Sequence, residues 1–225
     1  MTAYRAAAND HQKRCPMAQA EATVFVIDDD VSVRESLEAL IAFTGRSVQT
    51  FASAQAFLDY PRGPAPGCLV LDVSLPDLNG LELQERLAND EIELPIVFIT
   101  GHGDVPMSVR AMKAGAVEFL TKPLDDEALL RAIDEALAKS HGVFARQLDL
   151  QMLRDDYASL SKREREVMEL VTSGLLNKQV GGVLAISEIT VKAHRGQVMR
   201  KMKAHSFAEL VNMASVLELS PPQQH

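Results

Sequence analysis

The sequence has little of several features that would assign it to a specialised class of protein. It contains two cysteines among 225 residues and no tryptophan. Two cysteines do not suggest the disulfide framework of a small secreted domain, so we predict a reducing, cytoplasmic environment. Cys15 lies in a polar N-terminal stretch, whereas Cys68 lies in an apolar run.

The chain also lacks a long apolar run. No stretch reaches the ~18 uncharged apolar residues that a membrane-spanning helix needs, so we predict no membrane partner. Residues 1–21 are polar and rich in alanine, without the apolar segment of a secretory signal. We interpret them as a flexible leader, and residues 220–225 as a short tail.

Positive charge is scarce in the first part of the chain. Residues 21–139 hold 21 acidic and 9 basic side chains, whereas residues 159–219 hold 6 acidic and 9 basic ones. The formal net charge of −8 therefore combines an acidic first part with a mildly basic second part. This asymmetry predicts different partners for the two parts, and nucleic acid is a candidate for the basic one.

Between residues 22 and 140, short apolar runs alternate with segments of helical periodicity. Five strands alternating with five helices predict an α/β domain, a doubly wound five-stranded parallel sheet covered on both faces. The predicted strands are Thr23–Ile27, Ser47–Phe51, Cys68–Leu71, Ile96–Ile99 and Val117–Leu120.

The pattern changes after residue 158. Residues 159–219 contain four short helical segments and no strand pattern, which predicts a small all-α domain. Ser161 and Glu164 have the spacing of a capping box at the start of the first of these helices. Residues 141–158 are interpreted as a linker, either a continuation of the preceding helix or a non-helical connection.

Polar side chains follow four of the five predicted strands. The carboxyl ends of parallel strands share one edge of a sheet, and ligands bind there at the point where the strand order reverses. The polar groups are Asp28, Asp29 and Asp30 after the first strand, Asp72 after the third, Thr100 after the fourth, and Thr121 and Lys122 after the fifth.

This set of side chains predicts phosphoryl chemistry. Clustered carboxylates repel one another, and a hard divalent cation such as Mg²⁺ relieves that repulsion. Asp72 can then act as a nucleophile towards a phosphoryl group, with Lys122 as a cationic partner and Thr100 as a hydroxyl donor. A single aspartate after a strand is usually a turn residue or a helix cap, and we keep that interpretation for Asp30.

Four segments together resemble the receiver domain of bacterial two-component response regulators. They read VFVIDDD, LVLDVSLPDLNGLEL, PIVFITGHGD and AGAVEFLTKP, and the resemblance covers about residues 22–140. The resemblance implies a flavodoxin-like fold in which a sensor histidine kinase phosphorylates Asp72. It also implies Mg²⁺ or Mn²⁺ bound by Asp28, Asp29, Asp72 and the backbone carbonyl of Ser74.

The same resemblance implies a switch that responds to phosphorylation. Thr100 and Phe119 would form the switch pair, although the sequence pattern alone predicts only core packing for Phe119. Phosphorylation would favour a homodimer through one face of the domain. The implied dimer residues are Val105, Met107, Val109, Met112 and Phe119.

A phosphohydrolase that forms an aspartyl phosphate, with an accessory helical domain, is the alternative. Such enzymes carry a second aspartate two residues after the nucleophile, where this chain has Ser74. Without that general acid, we predict no enzymatic turnover beyond slow autodephosphorylation of Asp72.

The segment ISEITVKAHRGQVMRKM has the features of the second helix of a helix-turn-helix. Ser187 is a good N-cap, and Val191, Val198 and Met202 form an apolar stripe, together with His194 or Arg195. The residues that point away from this stripe are Lys192, Gly196, Gln197 and Arg200. On spacing alone, a small helical bundle with a solvated basic face explains the pattern equally well.

Residues 159–217 are similar to the LuxR-type DNA-binding domain of NarL/FixJ-type regulators. The resemblance implies that Thr190, Lys192, Ala193 and Gly196 face DNA. It offers Lys178 and Arg195 as phosphate contacts, whereas His194 is expected to pack.

Gly181 and Gly182 depart from the expected scaffold helix. They either allow a close backbone approach or loosen the module.

The two modules together predict a transcription factor under phosphorylation control. Its expected partners are a histidine kinase and double-stranded promoter DNA, with RNA polymerase as a further candidate. Activation would proceed either by dimerisation or by release of a masked DNA-binding domain, and the sequence leaves both open.

Overall fold

The computed structural model describes residues 21–101 and 104–219. The expected tail, Cys15 and all of the expected leader except Glu21 therefore lie outside the described residues. The chain divides between Ala145 and Arg146 into two compact units. The second unit thus includes part of the segment interpreted above as a linker.

The first unit contains a five-stranded sheet in which every neighbouring pair of strands is parallel. The strand order is β2-β1-β3-β4-β5, so it reverses at β1, which lies between β2 and β3. This confirms the doubly wound five-stranded sheet. The strands are β1 (Thr23–Ile27), β2 (Ser47–Phe51), β3 (Gly67–Asp72), β4 (Ile96–Thr100) and β5 (Glu118–Thr121).

Helices cover both faces of the sheet because alternate strand residues point to opposite sides. Phe25 and Ile27 join a core that includes residues from the second, third and fourth helices. Val24 and Val26 join a core that includes residues from the first and fifth. These helices are α1 (Val31–Phe43), α2 (Ala54–Leu58), α3 (Gly80–Asn89), α4 (Val105–Lys113) and α5 (Asp126–Ala158).

Local sequence sets the ends of several of these helices. The Asp30 carboxylate accepts hydrogen bonds from the backbone N–H groups of Ser32 and Val33, which confirms Asp30 as the cap of α1. Gly115 follows α4 with a φ of 94°, a conformation that favours glycine after a helix.

The second unit is helical. Its helices are α6 (Lys162–Thr172), α7 (Asn177–Leu184), α8 (Glu188–Lys201) and α9 (Phe207–Val216). The predicted capping box is present at the start of α6, with both of its hydrogen bonds formed. The last turns of α5 contribute Leu153 and Tyr157 to the core around Met168, Val198 and Leu210.

A buried ion pair connects two helices of this unit. The Lys201 ammonium lies 2.6 Å from the Glu164 carboxylate, which is nearly inaccessible to solvent. The hydrogen bonds from Lys201 and from the backbone N–H of Ser161 hold the pKa of Glu164 at about 2, below its ordinary value of 4.5. Glu164 therefore both caps α6 and ties it to α8.

The structure bears on membrane-spanning helices and on cysteine in the part of the chain that it describes. There, no helix combines the length and the apolar character needed to cross a membrane. Cys68 is a free thiol in the middle of the sheet, and burial raises its pKa to about 12. It is therefore not a thiolate at neutral pH.

Candidate functional sites

The first candidate site lies at the carboxyl edge of the sheet, next to the reversal of strand order. Asp28 follows β1 directly, and Asp72 is the last residue of the neighbouring strand β3. Both aspartates are buried. Asp72 and Thr100 are the final residues of β3 and β4 rather than the first residues of the loops, so the sheet itself positions them.

Lys122 bridges the two buried carboxylates. Its ammonium lies 2.6 Å from Asp28 Oδ2 and 2.8 Å from Asp72 Oδ2. The backbone N–H of Lys122 donates to the carbonyl of Thr100, which anchors the residue to the end of β4. Three of the predicted site residues are therefore within direct contact, although they are far apart in the sequence.

Burial and pairing act in opposite directions on the charges of this pocket. Burial raises the pKa of the Asp28 carboxyl, and the hydrogen bond from Lys122 only partly offsets that rise. Burial alone would lower the pKa of Lys122, but its hydrogen bonds to Asp28 and Asp72 raise it above its ordinary value. Lys122 thus stays protonated at neutral pH as the counter-charge for the pocket.

A third carboxylate joins the pocket from the solvent side. Asp28, Asp29 and Asp72 each offer a carboxylate oxygen, and these oxygens lie within 4.8 Å of one another. Asp29 is exposed, whereas the other two are buried, so the group opens towards solvent. An all-oxygen donor set of this size fits a hard divalent cation.

Backbone contacts hold these carboxylates in place. Arg34 donates to the carbonyl oxygens of Asp28 and Asp29, at 2.7 and 2.9 Å. The Asp72 Oδ1 atom accepts a hydrogen bond from the backbone N–H of Ser74. Arg34 was not among the residues predicted from the sequence, although its position in the first turn of α1 was an available signal.

Two further residues near Asp72 were also missed. A Cβ atom at Gly80 would lie 2.6 Å from the carbonyl oxygen of Asp72, so only glycine fits there. The Asp77 carboxylate accepts hydrogen bonds from the N-terminal backbone N–H groups of α2, on Gln55 and Ala54. Burial is the largest single effect on the pKa of Asp77 and raises it, but the backbone hydrogen bonds together outweigh burial and leave the pKa below its ordinary value. The bonds from Gln55 and Ala54 also tether the loop after β3.

The predicted switch and dimer residues lie around α4 and β5. Thr100 is buried, and the Phe119 ring is half-buried with its centroid 6.1 Å from that of Phe98. Met107 also packs against the sheet core. The remaining dimer candidates are exposed, and they are Val105, Val109 and Met112.

Gln84 connects α3 to the C-terminal end of α4. Its side-chain amide donates to the carbonyls of Ala111 and Ala114, at 3.3 and 3.2 Å, and the residue is buried. The sequence pattern alone gave no signal for this contact.

The second candidate site is helix α8 with the turn before it. Ser187 caps the helix through its hydroxyl, as predicted. Val191, Val198 and Met202 are buried, which confirms the apolar stripe. The other side of the helix is exposed, and its residues include Ile189, Lys192, Ala193, Gly196, Gln197 and Arg200.

Two of the predicted DNA contacts already have partners within the unit. Lys192 forms an ion pair with Glu188, one turn earlier, at 3.1 Å. Arg195 is half-buried, with its guanidinium 4.4 Å from the centre of the Phe207 ring and a hydrogen bond to Asn177. Lys178 is exposed on α7, and Thr190 and His194 are half-buried.

The two glycines of α7 have different surroundings. A Cβ atom at Gly181 would lie 2.7 Å from the carbonyl oxygen of Ile186, whereas no atom lies within 4 Å of the corresponding position at Gly182. The backbone N–H of Ile186 also donates to the Gly181 carbonyl. Gly181 therefore permits the tight turn between α7 and α8, and the close-approach interpretation holds for this residue.

Comparisons with known proteins identify a family for each of the two parts of the chain. Residues 24–134 match the family described as the response regulator receiver domain, and residues 158–214 match the luxR family of bacterial regulatory proteins. The chain is 47% identical to nodulation protein W of Bradyrhizobium diazoefficiens over 203 residues, which cover 90% of this chain and 89% of that protein.

Two further similarities extend over most of the chain. Transcriptional regulatory protein FixJ of Rhizobium meliloti is 43% identical over 192 residues, covering 85% of this chain and 94% of FixJ. The solved structure of the response regulator StyR is 47% identical, with a TM-score of 0.78 over 87% of this chain and 99% of StyR.

Proposed function

Since the chain belongs to the response regulators that combine a receiver domain with a LuxR-type DNA-binding domain, we propose that Asp72 is its phosphoacceptor. The observation that supports this most directly is the contact of the Lys122 ammonium with both buried carboxylates. The proposed domains are residues 22–140 and 159–219, and the proposed compartment is the cytoplasm.

The proposed reaction moves a phosphoryl group from a phosphohistidine of a sensor kinase to Asp72. A carboxylate oxygen of Asp72 forms the new P–O bond, the P–N bond to the imidazole breaks, and the freed imidazole nitrogen takes up a proton. Lys122 is already held against this carboxylate and offers a fixed positive charge to the incoming phosphoryl oxygens. The Thr100 hydroxyl is proposed as a further donor.

The proposed ligands of Mg²⁺ or Mn²⁺ are the carboxylates of Asp28, Asp29 and Asp72 and the backbone carbonyl of Ser74. When bound, such an ion supplies positive charge that neutralises the carboxylates and the phosphoryl oxygens. Arg34 and the cap at Asp30 orient the loop that carries Asp28 and Asp29.

Catalytic turnover of phosphate esters is not part of this proposal. Ser74 offers its N–H to Asp72, and its hydroxyl cannot serve as the acid that protonates a leaving alcohol at neutral pH. We propose that water removes the phosphoryl group slowly and that the protein is otherwise not an enzyme.

The phosphoryl group would act on α4 and β5 through local charge. It adds roughly −1.5 to −2 charge and three acceptor oxygens near Thr100 and Lys122. Thr100 and Phe119 are the proposed switch pair. The exposed apolar residues Val105, Val109 and Met112 form the proposed dimer face, with Met107 and Phe119 beneath it.

For the second unit, the proposed ligand is double-stranded promoter DNA. Helix α8 would enter the major groove with its exposed side, which carries Lys192, Ala193 and Gly196. Lys178 and Arg195 are proposed phosphate contacts, and Thr190 lies in the first turn of the helix. RNA polymerase is a proposed further partner.

The phosphoacceptor is tested with Asp72→Asn. We expect the wild-type protein to incorporate phosphoryl groups from acetyl phosphate in the presence of Mg²⁺, and the variant to incorporate none. Intact-mass spectrometry measures the added phosphoryl mass. Asp30→Asn is the matched control, because it removes one charge from the same loop but leaves a side chain that still caps α1. Full labelling of Asp72→Asn would contradict the assignment.

Sedimentation with and without a phosphoryl mimic separates the two activation routes. A dimer that forms only with the mimic supports activation by dimerisation. A protein that stays monomeric while its DNA affinity rises supports release of a masked domain instead.

A further inference from the structure

Ile189 is an unusually exposed aliphatic side chain for its position. It is the second residue of helix α8, and 80% of its surface is accessible to solvent. Exposure of a large aliphatic group to water is unfavourable. A single exposed aliphatic residue is nevertheless common on protein surfaces and usually needs no special explanation. In the first turn of a recognition helix, however, side chains contact base edges.

The polar side chains around Ile189 are already paired within the helix. The Ser187 and Thr190 hydroxyls lie 2.8 Å apart, and Ser187 also accepts from the Thr190 backbone N–H. Glu188 pairs with Lys192. Ile189 therefore projects into solvent from the first turn and takes no part in these hydrogen bonds or in this ion pair.

Helical spacing places Ile189 on the side of α8 that faces away from the core. Residues 189, 193 and 196 are separated by four and three positions and so share one stripe. The other two members are Ala193 and Gly196, both exposed and both small. Val191 and Val198 occupy the opposite, buried side. Ile189 thus protrudes from a stripe that is otherwise flat and allows close approach to a surface.

We propose that Ile189 contacts the C5-methyl group of a thymine in the major groove and thereby determines specificity at one position of each half-site. Among the four bases, only thymine presents a methyl group there. Contact would remove both the methyl group and the aliphatic side chain from water. The inference rests on the proposed binding of promoter DNA by α8, and it adds the identity of one recognised group.

The first test is selection of binding sites from a random pool of duplex DNA. The full-length protein, treated with acetyl phosphate, is compared with Ile189→Ala and with Val183→Ala. Val183 is a matched control because it is an exposed aliphatic residue on α7 rather than on α8. We expect a strong thymine preference at one half-site position for the wild type and Val183→Ala, and its loss for Ile189→Ala.

The second test removes only the methyl group. Deoxyuridine replaces that thymine in the selected duplex, and dissociation constants are measured by fluorescence anisotropy. We expect the wild type to bind about fourfold more weakly, the equivalent of one buried methyl group. The same replacement should leave the affinity of Ile189→Ala nearly unchanged, because the two changes remove the same contact.

The outcomes separate this inference from the proposed function. A wild-type protein that selects no sequence overturns DNA recognition and the thymine contact together. A wild type that selects sites, with Ile189→Ala keeping the same thymine preference and the same sensitivity to deoxyuridine, overturns the thymine contact alone. Circular dichroism of the variants checks that α8 remains helical.

Discussion

The two units of the chain use charge in different ways. In the first, two carboxylates of the functional site are buried, and Lys122 contacts both of them, Asp28 and Asp72. In the second, the buried ion pair between Glu164 and Lys201 belongs to the scaffold. The residues proposed to meet DNA, such as Lys192, lie at the surface.

The difference follows from the size of the proposed ligands. A phosphoryl group is small enough to be enclosed, and fixed charges in a partly dry pocket act on it more strongly than charges in water. A duplex cannot be enclosed, so its phosphates are met by exposed cations whose effect is screened by salt. Removal of a charge from the site of the first unit should therefore lower its stability or its phosphorylation. Removal of a charge from the DNA-facing surface of the second unit should lower its affinity for DNA and the salt dependence of that affinity.

The largest expected effect is that of Lys122→Met on the first unit. The substitution leaves two buried carboxylates without their cation, and we expect the free energy of unfolding to fall by about 3 kcal/mol in metal-free buffer. Urea denaturation followed by circular dichroism measures the change. Lys139→Met, at an exposed lysine of α5, should change stability by less than about 0.5 kcal/mol. Equal effects of the two substitutions would show that the buried pairing does not stabilise the fold.

Gly181→Ala tests the scaffold of the second unit by sterics alone. The added methyl group would meet the Ile186 carbonyl at 2.7 Å, and we expect a loss of about 2 kcal/mol. Gly182→Ala is the matched control on the same helix. Because no atom lies near that site, the better helix propensity of alanine should stabilise the unit by about 1 kcal/mol. Thermal melting of both variants gives the signs, and the same sign for both would contradict the turn geometry.

The buried pair of the second unit should make its stability depend on pH. The pKa of Glu164 is about 2 in the folded unit and 4.5 ordinarily. Its contribution is therefore complete above pH 4.5 and disappears as the pH falls towards 2.

Glu164→Gln removes this dependence. We expect a loss of about 1–2 kcal/mol near neutral pH and convergence with the wild type near pH 2. Denaturation at several pH values between 2 and 7 measures both. A constant difference across that range would exclude the ion pair as its cause.

The smallest effect is predicted for Lys192→Ala. Lys192 already pairs with Glu188 in the free protein, so we expect DNA affinity to fall only roughly threefold at moderate salt. The slope of affinity against salt concentration should fall by about one unit if the lysine neutralises one phosphate. Lys162→Ala, at an exposed lysine of α6, is the control. Unchanged affinity and slope would remove Lys192 from the interface, and phosphorylation of Asp72 should be unaffected.

Much of the fold follows from patterns that the sequence displays locally. The apolar runs predicted all five strands to within one residue at either end. Asp30, Ser161 and Ser187 were recognised as caps because capping acts over three residues. Helix α2 has only five residues, too few to show a helical period.

Apart from the local contacts of Arg34, the missed contacts are those made across the fold. Asp77 caps α2 from 22 and 23 residues away, and Lys201 reaches Glu164 across 37 residues. Gln84 reaches α4 across 27 and 30 residues. Such contacts depend on how elements pack, and no local pattern predicts them.

Helix α5 has a practical consequence for isolating the second unit. Tyr157 donates to Glu169 of α6, and it packs with Leu153 into the same core as Leu210. A fragment that started at residue 159 would lose both side chains and open a hole in that core. A fragment for crystallising or titrating this unit separately should therefore begin near Arg146, which keeps more than three turns of α5.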